Sequence, residues 1–284
     1  MLRRLIDPLL ARQTWADEVG DVLTGFFRAI LRPVPPLKSF LHGTWLGHPL
    51  HPLVTDVPVG ALTIGLALDL IGSFDGARWA TLLGFLGMIG AAVTGIADYA
   101  DTEGKTRRYA TLHSLLMFLS GAFYLFSVLV RFGVTPGTSD HATLTAAIGY
   151  VFLVLGAYIG GDLVFALGNM VDRHAFRSAS DRWIALDVGE VAEGAPTKAR
   201  AGAQALLLVR RGDTIHALHD VCAHAGCSLS EGRIVGEEIE CACHGSRFRM
   251  RDGAVVRGPA VYDQPSFEVR TSEGRLEVRR RGGR

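Results

Sequence analysis

A four-helix transmembrane bundle followed by a small all-β domain is the architecture this sequence predicts, on three observations. Of the 284 residues, 49% are hydrophobic. Charge is partitioned, with 13 Asp, Glu, Lys and Arg side chains over 52–170 against 34 over the shorter stretch 171–284. The low-charge stretch contains four long apolar runs, and an apolar run of about 20 residues is what a helix needs to cross the hydrocarbon of a bilayer. This composition excludes a disordered chain. A net charge of +1 provides no basic field to hold nucleic acid. Three regions follow: an amphipathic N-terminal segment over 1–43, a four-span domain over 44–172 and a charged β domain over 173–284.

In the first region, residues 20–33 place Val22, Leu23, Phe26, Phe27, Ile30 and Leu31 at helical spacing. That pattern predicts an amphipathic helix, seated either in the membrane interface or on the protein itself. Spans are expected at about Leu53–Gly72, Trp79–Ala97, Tyr109–Val130 and Ala142–Gly161, of which the first alone holds charges, Asp56 and Asp69, near its two ends. All four are rich in Gly and Ala, which let membrane helices approach closely. Runs packed so densely leave no polar face for a soluble bundle.

Orientation follows from Lys and Arg. One side collects Arg3, Arg4, Arg12, Arg28, Arg32, Lys38, Lys105, Arg107, Arg108, Arg173, Arg177 and Arg182; the other has Arg78 and Arg131. The positive-inside rule then puts both termini in the cytoplasm. The predicted location is the cytoplasmic (inner) membrane, multi-pass, with the β domain on the cytoplasmic side. The opening MLRRLIDPLLAR lacks an apolar core and cleavage site, so no secretory signal is expected.

From Arg182 onward the pattern changes to short runs: Ala205–Val209, Thr214–Leu218, Ala254–Val256, Ser266–Val269 and Arg275–Val278. Gly, Asp and Pro separate them, for example at Gly212-Asp213 and Gly258-Pro259, as expected of an all-β domain. All four cysteines lie within it, in two short segments: Cys222-Ala-His224-Ala-Gly-Cys227 and Cys241-Ala-Cys243-His244-Gly-Ser246. Their skeleton is CxH, 16 residues, then CxxH, which delivers two thiolates and two imidazoles from two loops. A Cys2His2 zinc site uses the same atoms, but this order is not a zinc-finger spacing. Haem attachment needs CxxCH, whereas Cys241 to His244 reads CxCH. His216 and His219 lie in or just after an expected strand, and solvent-exposed positions are predicted for them.

The skeleton resembles that of the Rieske [2Fe-2S] domain, and the flanking His244-Gly245-Ser246 and Gly258-Pro259-Ala260 resemble that family's cluster-flanking and proline-loop segments, over about residues 182–280. The resemblance implies a cluster held by Cys222, His224, Cys241 and His244, with two thiolates on one iron and two imidazoles on the other. It also implies a role for the two remaining cysteines. In Rieske proteins of quinol-oxidising complexes the positions of Cys227 and Cys243 form a disulfide that ties the loops together, whereas ferredoxin-type members lack them. Disulfides rarely persist in the cytoplasm, so this implication pulls against the charge count unless the bond has a low potential. Ser246, Phe248 and Pro259 fall where the family tunes its cluster. High-potential members carry Tyr two residues after the Ser, a position held here by Phe248, so an intermediate potential is expected, inside the range of about −150 to +300 mV.

Ahead of the first span, Gly47-His48-Pro49-Leu50-His51-Pro52 resembles the HPLHP signature of an uncharacterised four-span bacterial membrane family, over about residues 42–170, which implies no activity. Span polarity puts His51, Asp56, Asp98, His113 and Asp162 near the cytoplasmic end, close to His48. Ionisable groups in spans face the bundle interior and mark function by default. A bis-His haem, a quinone pocket, a proton path and a plain structural polar network all fit this set. The chain as a whole reads as a membrane-anchored carrier of single electrons between a membrane redox partner or quinone and a soluble partner. A tethered ferredoxin component of an oxygenase system and a redox or iron-sulfur sensor are the competing readings.

Overall fold

Hydrophobic periodicity and length become seven helices in the first 165 residues of the computed structural model, which describes residues 2–176 and 182–281. They are α1 (Leu2–Ala11), α2 (Trp15–Leu31), α3 (Pro35–His42), α4 (Leu50–Leu70), α5 (Phe74–Ala100), α6 (Gly104–Arg131) and α7 (Ser139–Phe165). The last four are each long and apolar enough to cross a membrane. Large apolar side chains such as Leu86, Phe118 and Val151 point outward from them, a surface that suits hydrocarbon rather than water. α4 with α5, and α6 with α7, form tightly packed hairpins; packing between the hairpins is much sparser. Where spans one and three end, Arg131 makes a bidentate, fully enclosed ion pair with Asp69, and Arg78 lies over the rings of Trp79 and Phe132. α2 resolves the two expectations for its apolar face: Leu23, Phe27 and Leu31 turn inward, Phe27 against Tyr99, while Val22, Phe26 and Ile30 remain exposed.

Ten strands follow: β1 (Ile184–Ala185), β2 (Thr197–Ala201), β3 (Gln204–Arg211), β4 (Thr214–His219), β5 (Arg233–Val235), β6 (Glu238–Glu240), β7 (Arg247–Arg249), β8 (Val255–Arg257), β9 (Ser266–Ser272) and β10 (Arg275–Arg280). They form two antiparallel sheets, one ordered β1-β10-β9-β4-β3-β2 and one ordered β5-β6-β7-β8. The larger sheet alternates in the usual way: Leu206 and Leu208 face one core with Ala217, Phe267 and Val278. Leu207, Val209 and Leu218 face the other, which also encloses Cys222, Cys241, Phe248 and Met250. Compact units divide the chain as Met1–Val34 with Leu50–Asn169, and Pro35–Pro49 with Met170–Arg284. This differs from boundaries at 43 and 172. The segment Pro35–Pro49 packs with the β domain because its polar groups complete that unit's hydrogen bonds: Gly258 N–H donates to Ser39 Oγ at 3.1 Å and Thr44 Oγ1 to the Ala260 carbonyl at 3.1 Å.

Candidate metal centre

Two loops with one backbone frame build the site. In the first, which follows β4, Cys222 N–H donates to the Cys227 carbonyl at 2.8 Å and Gly226 N–H to the Cys222 carbonyl at 2.9 Å. In the second, between β6 and β7, Cys241 N–H donates to the Ser246 carbonyl at 2.8 Å and Gly245 N–H to the Cys241 carbonyl at 3.0 Å. The fifth residue of each frame is a glycine in the left-handed region, Gly226 at φ 87° and Gly245 at φ 75°, where a side chain would be strained. Each loop thus presents a cysteine at its first position and a histidine at its third or fourth.

The loops bring their four side chains together in pairs. The Cys222 and Cys241 thiols are both buried, within one core cluster. The neighbouring Cys222 thiol, together with the Cys243 and His244 N–H groups, outweighs burial and draws the Cys241 thiol down, while Cys222 is pushed up by the Cys241 thiol and by burial. The rings of His224 and His244 have centroids 4.9 Å apart. An ion about 2.1 Å from a nitrogen of each ring lies about 3.2 Å from each centroid, so that separation corresponds to an angle of about 100° at the ion, near tetrahedral. Among the described residues, no three of these four side chains bring their ligand atoms within 4.8 Å of one another. A single zinc ion needs such convergence; a pair of irons does not. Cys227 and Cys243 are joined by a disulfide, with Cα atoms 6.5 Å apart, so their sulfurs are committed to each other although they lie close to that of Cys241.

Several residues that hold this geometry carry no sequence signature. Gln264, 1% exposed, accepts from Ala223 N–H at 2.9 Å and donates to the carbonyls of His219 and Val221 at 2.6 and 2.7 Å. Asp220 accepts from Ser228 Oγ and Ser230 N–H. His219 is a correction to the expected solvent exposure: it is buried, its Nδ1 accepts from Val221 N–H, and its ring lies 4.7 Å from that of His174, because the strand end it occupies is covered by residues 170–176. His216 is half-buried. At the second loop, Glu240 receives Arg233, Arg247 and Arg257, and Arg257 also donates to the Gly245 carbonyl at 2.8 Å. Burial works to raise the Glu240 carboxyl, but hydrogen bonds from Arg247 and Arg233 and the charge of Arg257 prevail and hold it below the usual carboxylate range.

Of the tuning positions, Ser246 is fully buried and its Oγ accepts from Ala260 N–H at 3.0 Å, which fixes the hydroxyl beside the second loop. Phe248 is fully buried in the core shared with Cys222 and Cys241. Pro259 lies in the wall of a crevice beside His224, with Ala260 and Tyr262. In the membrane unit, His51 and His113 meet, with ring centroids 6.4 Å apart, while Asp56 is exposed and Asp98 and Asp162 are partly buried near the ends of α5 and α7. His48 belongs to the other unit, where its exposed ring faces the Pro49 carbonyl.

Comparison with known proteins decides between the centres this donor set could hold. The Rieske [2Fe-2S] domain matches residues 182–268. Ferredoxin CarAc of Metapseudomonas resinovorans is 39% identical over 79 residues, 28% of this chain and 74% of that protein. The chain belongs to the Rieske family. The ferredoxin subunit of anthranilate 1,2-dioxygenase from Burkholderia cepacia is 31% identical over 32% of this chain and 84% of its own length. The iron-sulfur subunit of the cytochrome b6-f complex from Chlorobaculum tepidum is 27% identical over 26% of this chain, which spans 39% of that subunit. Residues 47–173 match a family described as predicted membrane protein (DUF2231). A Rieske electron-carrier domain is therefore joined in one chain to a membrane domain.

Proposed function

We propose that this Rieske protein carries single electrons at the cytoplasmic face of the inner membrane, between a membrane redox partner or quinone and a soluble partner. The observation that carries the reading is the pairing of ligand types: two buried thiols in one core cluster and two imidazoles 4.9 Å apart. A [2Fe-2S] cluster on Cys222, His224, Cys241 and His244 supplies a one-electron couple. The chain's own residues fix the loops, through Gln264 and the Cys227–Cys243 disulfide, and exclude water from the thiols through Phe248, Met250 and Leu229. His244 is less buried than His224, and so forms the more open approach for a partner.

The relatives favour a second reading in one respect: the anthranilate 1,2-dioxygenase subunit is the ferredoxin of an oxygenase system, which points to a tethered ferredoxin. The disulfide points toward the quinol-oxidising class. Stopped-flow reoxidation of the reduced, detergent-purified protein separates them. Rapid reoxidation by added quinone supports the membrane-carrier reading; inertness to quinone with rapid reduction by a soluble ferredoxin reductase replaces it with the second.

A further inference from the structure

The second histidine pair carries a separate inference, independent of the Rieske reading. His51 lies in the first turn of α4 and His113 in α6, helices that are not tightly packed on one another but face across the bundle. The two are held in matching ways. His51 Nδ1 is bonded to the Ala91 carbonyl of α5 at 2.9 Å, and His113 Nδ1 to the Gly156 carbonyl of α7 at 2.8 Å. Four residues beyond each carbonyl stands a glycine, Gly95 and Gly160. A Cβ at Gly95 would lie 2.9 Å from His51 Cε1, and one at Gly160 would lie 3.1 Å from His113 Cε1. Each hairpin thus repeats one device: a histidine on its outgoing helix, and a carbonyl and a glycine notch on its returning helix that fix the ring. In both, the Nδ1 hydrogen bond to a carbonyl sets the tautomer and leaves Nε2 as the nitrogen not bonded to the returning helix, the arrangement in which an imidazole serves as a metal ligand.

The separation of the rings says how a metal would be bound. Two imidazoles on one ion, each centroid about 3.2 Å from it, can be at most about 6.4 Å apart, and reach that value when they stand on opposite sides of the ion. The observed separation is 6.4 Å, the trans limit, in contrast to the bent 4.9 Å pair of the Rieske loops. A metal with two trans imidazoles still needs an equatorial set. Among the described residues, no third His, Cys, Asp or Glu completes a set of three with the pair, so a bound non-protein group would supply the remaining ligands. Packing between the two hairpins is sparser than within each. We infer that His51 and His113 are the axial ligands of a b-type haem, whose four pyrrole nitrogens complete the coordination.

The test is the visible spectrum and haem content of the full-length protein, expressed with excess haem precursor and purified in detergent, beside its His51→Ala, His113→Ala and His51→Met variants. One haem per chain with the spectrum of a six-coordinate low-spin iron, lost in both Ala variants while the Rieske EPR signal persists, bears the assignment out. His51→Met retaining a six-coordinate haem at a shifted midpoint guards against reading a folding defect as ligand loss. A protein that contains no haem and gives no low-spin spectrum on titration with hemin overturns the proposal. So does a low-spin haem that survives both Ala substitutions, or a bare metal ion bound without porphyrin. The Rieske assignment is untouched by any of these outcomes, since it is read from the cluster's own EPR signal.

Discussion

At Ser246, a buried hydroxyl that accepts one N–H has its own proton to give, and at Phe248 a buried ring has none. A hydrogen bond to a sulfur of the cluster favours the reduced state, which holds one more negative charge. Such a bond to a charged acceptor is worth about 1.5–3 kcal/mol, or about 60–130 mV for a one-electron couple. Phe248→Tyr is expected to raise the midpoint and Ser246→Ala to lower it; a redox titration in which neither moves it by more than about 20 mV rejects this account of the tuning. The ligands themselves make a sharper case. His224→Ala is expected to abolish the EPR signal of the reduced cluster, and an undiminished signal would remove His224 from the ligand set. Gln264 acts through backbone alone. Gln264→Ala takes this partner from the buried Ala223 N–H and from the His219 carbonyl and leaves the Val221 carbonyl to His174 alone, and the expected loss is about 2 kcal/mol of stability or more, read as a lower thermal midpoint with the ligands intact.

Among the elements, the legibility of the sequence tracks length. The four spans declared themselves because twenty or more residues share one character, and the ligand loops because their spacing is a chemical signature. β5, β6 and β7 are three residues each, too short for alternation to show, and they went unread although β6 and β7 flank the second loop. Gln264 and the arginines around Glu240 went unread for another reason: their partners lie up to 45 residues away, and no local pattern marks a side chain that serves a distant backbone. The Glu240 cluster joins β5, β6, β7 and β8, and its carboxyl is held below its ordinary value of 4.5. A group depressed on folding contributes stability above its unfolded value and loses it as pH falls through its folded one. Acid denaturation below about pH 4.5 is therefore expected to be steep in the native protein and shallower in Glu240→Gln, as followed by cluster absorbance.

For the molecule as a whole, the expected membrane orientation rests on charge. The sequence leads to the expectation of twelve basic residues on one side and two on the other; of those two, Arg131 is paired with Asp69. A reporter active only in the cytoplasm, fused after Arg284, is expected to work; activity of a periplasmic reporter alone would invert the topology. Breaking the enclosed pair by Asp69→Asn should cost about 3–5 kcal/mol, most of it recovered when Arg131→Met is added, with the thermal midpoint in detergent as the measure. The order of the chain through the two units has a consequence of its own, in time. Pro35–Pro49 is made before any span, yet its partners Gly258 and Ala260 come up to 219 residues later. At about 5–20 residues per second, Ser39 and Thr44 wait about 10–45 s on the ribosome for the groups they bond. During that interval the nascent segment is a free end of an unfinished domain, so the Rieske unit closes only after the whole membrane domain has been synthesised.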